Sequence, residues 1–473
     1  MLFNSLTFVV FFATVLGLWT VIPGWRARKG MLLVASYLFY AAWSPPFILI
    51  LWLSTVVDWF VAKWLFAAKE KRRRRRILLI SLIVNLGLLG YFKYGGWLLE
   101  NTVAVAGLVG IDFSPAAPDI ILPIGISFYT FETISYTLDV YFERCEPFDS
   151  FLDYGLFLTF FPHLVAGPIL RPHEIVPQFA TPRRATTTMF GWGLLLLSVG
   201  LFEKVVLADT ILAPASELVF GAHQPLGPLD TWIGVLAFSG QIFCDFAGYS
   251  TCAIGAALCF GISLPDNFRF PYASVGFSDF WRRWHISLSR WLRDYLYVPL
   301  GGNRVGPVRT YVNLMLTMLI GGLWHGASWN FVIWGGIHGF YLVVERLLRA
   351  RFPAAPWVHT RAGQLALIAL TFFLTCITWI FFRAETLGGA WGMLMQAFGA
   401  QAGAAAMLTT QHVVGVLAVM AGLVGVHVAM RERRIEDVAQ AAPELVVTAA
   451  LVTMWFTLVL AQGTGDAFIY FQF

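Results

Sequence analysis

Apolar residues in this chain fall in long blocks, not in strict alternation or narrow stripes. Most blocks approach the length that crosses a bilayer as a helix, about 20 residues. The first, Leu2 to Ile22 (LFNSLTFVVFFATVLGLWTVI), follows no basic segment and lacks a small-x-small cleavage site, so it reads as a retained span. Further blocks predict spans near 31–43, 46–66, 77–98, 119–140, 151–170, 190–213, 230–264, 311–325, 329–347, 363–383, 411–430 and 445–463. The block at 31–43 is short, and Ser44-Pro45-Pro46 turns the chain out of it. The block at 230–264 is too long for one span and reads as two tilted or re-entrant pieces. The pattern predicts an all-α polytopic integral membrane protein with roughly 11–14 membrane helices, its residues 1–473 forming one membrane domain.

Basic residues give the expected orientation. They cluster at Arg26-Ala27-Arg28-Lys29, Lys69 to Arg76 (KEKRRRRR), Arg346 to Arg351 and Arg431 to Arg434. Two predicted spans separate the first cluster from the second, and two separate the third from the fourth. All four can therefore face the cytoplasm, with both chain ends outside. The run Arg72 to Arg76 resembles a nucleic-acid patch by composition. Between two spans it reads instead as an anchor at anionic lipid, and no nucleic-acid partner is expected.

Composition agrees. Hydrophobic residues make up 58% and charged residues 12%, about half the charged share of a soluble domain. The 19 Trp and 42 Phe suit membrane interfaces and apolar packing. Five scattered cysteines, Cys145, Cys244, Cys252, Cys259 and Cys376, form no CxxC pair and read as buried small residues. No zinc spacing occurs: His163 and His173 are ten residues apart, which fits no single helical face. There is also no GxSxG elbow, no Walker loop and no GxGxxG opening a helix. No metal and no bound cofactor is expected.

Two segments carry candidate chemistry. Phe280 to Arg304 (FWRRWHISLSRWLRDYLYVPLGGNR) holds five of the 32 basic residues, three Trp, two Tyr and His285. A helix from Asp279 would put Arg282, His285 and Ser289 on one face. Such a stretch suits a basic interfacial helix. It also suits a rim where Arg282, Arg283 and Arg290 gather the phosphates of an anionic acyl donor such as a coenzyme A thioester, because the guanidinium fork binds oxygen pairs. Gly321 to Gly339 (GGLWHGASWNFVIWGGIHG) places His325 and His338 inside apolar sequence. A helix starting near Tyr311 would carry His325 about 21 Å into the bilayer. Gly326, Ala327 and Ser328 would then break the helix and turn the chain back. A neutral imidazole there can take a proton from a hydroxyl, and it can equally be a packing histidine hydrogen-bonded to a neighbour. For His338 packing is favoured. Glu132, His163, Glu203, Lys204 and Asp245 also sit in apolar context. Glu203 and Lys204 read as part of an interhelical ion pair or a span end, and Gly167-Pro168 as a break in a span. The tail Phe468 to Phe473 (FIYFQF) reads as an aromatic anchor or as a means of presenting the Tyr470 phenol.

These segments resemble the membrane-bound O-acyltransferase (MBOAT) family. They are closest to its bacterial polysaccharide-acylating branch, which includes the alginate O-acetyltransferase membrane subunit. The resemblance is carried by Ala35 to Trp43, Leu122 to Tyr141, Phe160 to Arg171, Asp245 to Tyr272, Phe280 to Arg304, Gly321 to Gly339 and the FIYFQF tail. It implies a fold of membrane, re-entrant and interfacial helices around a central tunnel, with a core at about 119–347. The histidine of W-H-G is His325, the family's presumed catalytic residue. The second family position, often Asn in lipid-acylating members, is His285 here, as in the polymer-acylating branch. The family takes an acyl group, here expected to be acetyl from acetyl-CoA, from a cytoplasmic thioester and delivers it to the outer face. His285 would line the cytoplasmic mouth of the tunnel and His325 its far end. A separate SGNH/GDSL-like extracytoplasmic transferase would then pass the group to a polysaccharide, and Tyr470 would act as an acyl relay. The resemblance further implies a multi-pass protein of the bacterial inner membrane, in contact with membrane lipids. One departure is Gly248-Tyr249-Ser250-Thr251, where alginate-type relatives carry Gly-Tyr-Ser-Asp. Two other readings remain at this point: a transporter or flippase for a lipid or polysaccharide precursor, and an acyltransferase acting on a lipid or protein.

Overall fold

A computed structural model describes residues 1–43, 45–116, 118–352, 356–399 and 406–461. The described residues are helical, with no strand among them. Among the described residues six helices are long and apolar enough to cross a membrane: Pro45–Ala67, Lys71–Leu108, Pro228–Cys259, Trp329–Arg351, Arg361–Arg383 and Thr410–Met430. A pair bent by 120°, Ile435–Ala441 with Glu444–Leu460, makes a seventh if taken as one span. The other predicted spans fall on helices that are shorter or more polar. The chain divides into two compact units.

The first unit comprises Met1–Gly193, Ala253–Pro265 and Gly326–Ser328. Its helices carry a buried polar seam. Asn85 donates to Asp58 at 2.5 Å and accepts from Ser54 at 2.5 Å, while Ser81 and Thr137 lie 3.1 Å apart. These bonds satisfy side chains that would otherwise be orphaned away from water. Arg74, in the basic run, donates to Tyr141 O at 2.6 Å and Val140 O at 3.2 Å. It thereby caps the last carbonyls of Ile126–Tyr141 with positive charge. The predicted span at 151–170 is helical only over Phe151–Thr159. Pro162 and Gly167-Pro168 stop the ladder there, and Glu132 anchors the following turns by accepting from Leu170 N at 2.8 Å and facing His163 at 3.3 Å.

The second unit comprises Leu194–Cys252, Asp266–His325 and Trp329–Phe473. The block expected as two pieces is one 32-residue helix, Pro228–Cys259. No proline lies between Leu229 and Ser263 to interrupt it. Its glycines serve close packing: a Cβ on Gly248 would lie 2.7 Å from Gly200 O, and one on Gly240 would lie 2.6 Å from Met420 Sδ. The segment Phe202–Leu212 is a π-helix, a wider turn that often marks functional or strained positions. Within it Lys204 bridges Asp209 at 2.8 Å and, on helix Pro228–Cys259, Asp245 at 2.5 Å. Of the two residues expected in an interhelical ion pair Lys204 therefore forms one, and none of the ion pairs among the described residues includes Glu203.

Candidate functional site

His325 is the last residue of helix Pro307–His325, and the chain resumes as helix Trp329–Arg351. The break falls at Gly326–Ser328, as the sequence predicts. Glycines hold the two helices together. A Cβ on Gly322 would lie 2.2 Å from Phe331 O, and one on Gly335 would lie 2.2 Å from Met318 O. Only hydrogen fits at either point, so the backbones touch and His325 is drawn against the returning helix. Its ring meets Trp334 edge-on at 5.0 Å, Trp324 at 5.1 Å and Phe382 at 5.5 Å.

His285 arrives from a different direction. The helix expected to run from Asp279 through Ser289 is two short helices, Phe277–Arg283 and Ile286–Leu292. His285 sits between them with φ 42° and ψ 56°, a left-handed conformation that is costly for a residue with a Cβ. The reason lies eighteen residues earlier. Arg269 N donates to Arg283 O at 2.9 Å and Ile286 N donates to Asn267 O at 2.9 Å, clamping the break from both sides. His285 is fully buried, edge-on to Phe246 at 4.6 Å.

The two imidazole centroids are 6.3 Å apart. That is too far for their nitrogens to hydrogen-bond directly, yet close enough for both to touch one reacting group between them. His285 and His325 are therefore neighbours, not opposite ends of a passage.

The three arginines separate. Arg283 is buried and its guanidinium is taken up by protein: Nε donates to Asp279 at 3.0 Å, Nη1 to Arg431 O at 2.9 Å and Nη2 to Glu432 at 3.2 Å. Arg431 donates to the other Asp279 oxygen at 2.9 Å and to Ala273 O at 2.8 Å. Burial would raise the Asp279 pKa, but the Val275 N–H, Arg431 and Arg283 outweigh it and hold the carboxyl below its ordinary value. The expected donor-binding role of Arg283 thus gives way to a structural one, while Arg282 and Arg290 are exposed. Tyr470 and the rest of the FIYFQF tail lie outside the described residues.

His338 is a packing histidine in its geometry. Its Nε2 faces Thr378 Oγ1 at 3.1 Å, and its ring stacks on Phe280 at 5.8 Å. Two buried residues escaped the sequence reading. His427 accepts from Tyr272 N through Nδ1 at 3.2 Å. Asn267 contacts His285, Ser287 and Ser250. His427 carried the usual signal of an ionisable residue in an apolar span; Asn267 sits in a polar loop and carried none. Among the described residues no group of three or more His, Cys, Asp or Glu is arranged to hold a metal ion.

A multi-pass helical membrane protein with two buried histidines at helix breaks invites comparison with membrane acyltransferases. Residues 149–384, which contain both histidines, match the membrane-bound O-acyltransferase family, and the chain belongs to that family. It is an O-acyltransferase. It is 43% identical over 395 residues to the probable alginate O-acetylase AlgI of Pseudomonas aeruginosa, covering 83% of this chain and 74% of that protein. It is 38% identical to the peptidoglycan O-acetyltransferase of Helicobacter pylori, covering 76% of this chain and 72% of the other. The teichoic acid D-alanyltransferase of Streptococcus thermophilus is 30% identical over 235 residues, or 47% of this chain and 56% of that protein.

Proposed function

We propose that this protein moves an acetyl group from a cytoplasmic thioester, acetyl-CoA, toward a hydroxyl of a polysaccharide on the outer side of the inner membrane, with His285 and His325 at the reaction centre. The observation that carries the reading is the pair of imidazoles 6.3 Å apart, gathered at two helix breaks inside aromatic walls. An ionisable pair buried this fully is expensive and is a candidate functional site. The chemistry is a transesterification. A hydroxyl oxygen attacks the thioester carbonyl while an imidazole nitrogen takes its proton. The C–S bond then breaks, and the thiolate leaves with that proton as free thiol. His325 is assigned the proton transfer and Arg282 and Arg290 the donor phosphates.

The acceptor hydroxyl belongs to the polymer or, as an intermediate carrier, to Tyr470. An SGNH/GDSL-like partner outside the membrane would complete delivery in the second case. The acceptor class is supported by the alginate- and peptidoglycan-acetylating relatives, and the orientation by the four basic clusters. The test is acetyl-CoA consumption by purified protein together with acetylation of the polymer in cells. His325→Ala should abolish both at normal protein levels, and retained polymer acetylation would refute the assignment. Tyr470→Phe should block delivery, and normal product from it would reduce the tail to an anchor. Protein that consumes no thioester would return the transporter reading.

A further inference from the structure

We propose that Asn267 is a positioning residue that holds the His285 imidazole as its Nδ1–H tautomer, leaving the lone pair on Nε2 to accept a hydrogen bond from the attacking hydroxyl and orient it while His325 moves the proton. This deepens the proposed function and rests on His285 belonging to the reaction centre.

The argument begins at the start of helix Ile286–Leu292, whose first N–H groups have no partner within the helix. His285 occupies the N-cap position, but its side chain does not cap. Asn267 does so from across the fold. Its backbone carbonyl accepts from Ile286 N at 2.9 Å. Its side-chain oxygen accepts from Ser287 N at 3.3 Å and from Ser287 Oγ at 2.8 Å. A backbone N–H can only donate, so the atom it meets must be the amide oxygen of Asn267 and not the nitrogen. The amide nitrogen points the other way and donates to Ser250 Oγ at 3.1 Å. The amide is therefore oriented by bonds that do not involve the histidine.

His285 Nδ1 lies 3.1 Å from that same Asn267 oxygen. The oxygen has no proton to give, so Nδ1 must donate. In a neutral imidazole the second nitrogen is then bare. One asparagine thus performs two tasks: it satisfies the helix start, which lets His285 keep its ring out of capping, and it selects which ring nitrogen is basic. Phe246, edge-on at 4.6 Å, and Phe268, nearly parallel at 6.4 Å, restrain the ring plane. His338 provides an internal contrast. Thr378 Oγ1 spends its proton on Thr375 O at 2.7 Å, so it accepts from His338 Nε2 and selects the opposite tautomer.

The experiment uses full-length protein in lipid nanodiscs with ¹⁵N-labelled histidine, the His285 signals being assigned by their loss in His285→Gln. Nitrogen shifts separate a protonated ring nitrogen from a bare one. In the unmodified protein His285 should show Nδ1 protonated and Nε2 bare. Asn267→Leu should release the ring to a mixture or to the Nε2–H form. It should also lower kcat for acetyl transfer by roughly 10- to 100-fold, with KM for acetyl-CoA within about two-fold. Asn267→Asp, which keeps the accepting oxygen, should retain the Nδ1–H form. A protonated Nε2 in the unmodified protein would overturn the proposal without recourse to any variant, and so would an unchanged tautomer in folded Asn267→Leu. Full activity of His285→Ala would instead sink the proposed function, and the two failures stay distinct because the spectrum reads the ring itself.

Discussion

Gly322 and Gly335 face each other so closely that each takes the place where a side chain on the other's helix would stand: the two backbones approach within a distance that a methyl group on either would violate. Gly322→Ala or Gly335→Ala must therefore push helices Pro307–His325 and Trp329–Arg351 apart. The expected cost is about 1–3 kcal/mol from overpacking, read as a lowered midpoint in thermal unfolding of detergent-solubilised protein. Because His325 rides on the first of these helices, acetyl transfer should fall by more than the loss of folded protein explains.

The histidines should divide by kind of damage. His325→Ala should eliminate turnover even in its folded fraction, at a stability cost of the same order as that of any ring buried among Trp324, Trp334 and Phe382. His338→Ala, which leaves Thr378 without its partner and opens space beside Phe280 and Trp334, should cost about 1–3 kcal/mol of stability. Its residual folded fraction should keep most of its specific activity. Thermal unfolding and single-turnover transfer measured on the same samples separate the two.

Asp279 ties Arg283 to Arg431 and so joins the segment before His285 to the end of helix Thr410–Met430. Its pKa is held below the ordinary 3.8, so the folded state binds fewer protons than the unfolded state through that range. The stabilisation is fully present above pH about 4 and is lost as the pH falls through the lower, folded-state value. Asp279→Asn should remove about 1–2 kcal/mol near neutral pH. It should also flatten the decline in stability below pH about 4. An identical acid limb in the variant would contradict the assignment.

Lys204 stands between two carboxylates with little solvent to share the charge, its side chain 12% exposed against 6% for Asp209 and 1% for Asp245. Lys204→Met should remove the cation that both carboxylates share at a cost of about 3–5 kcal/mol, seen as poor recovery of monodisperse protein. Adding Asp209→Asn and Asp245→Asn to Lys204→Met should restore much of the yield, since neutral amides are far less costly to bury than carboxylates that have lost this counterion.

The membrane helices were legible because the bilayer imposes a length on apolar sequence, and the break after His325 because Gly326-Ala327-Ser328 carries its own signal. The break at His285 was not legible. The spacing of Arg282, His285 and Ser289 fits one continuous face, and nothing local opposes it. The left-handed turn is imposed by Asn267 and Arg269, so the deciding information lies in another part of the chain. Arg283 failed in the same way. An arginine beside Arg282 in a basic stretch looks available to a phosphate, and only Asp279, Glu432 and the carbonyl of Arg431, brought up by the fold, show it occupied. The helix Pro228–Cys259 was misjudged for a different reason. Its length exceeded one span, but length alone does not break a helix whose one proline, Pro228, is its first residue.

The rings around the histidine pair have a consequence for how tightly donor use is tied to product. Trp324, Trp334, Phe246 and Phe382 set ring faces and edges around the pair, so a stray solvent molecule would meet mostly carbon, with the imidazole and indole nitrogens as its polar partners there. A thioester carbonyl arriving between the imidazoles would meet its intended hydroxyl far more often than a hydrolytic competitor. Thiol released should then match ester formed nearly one for one, and thinning that wall with Phe382→Ala should show up first as wasted donor.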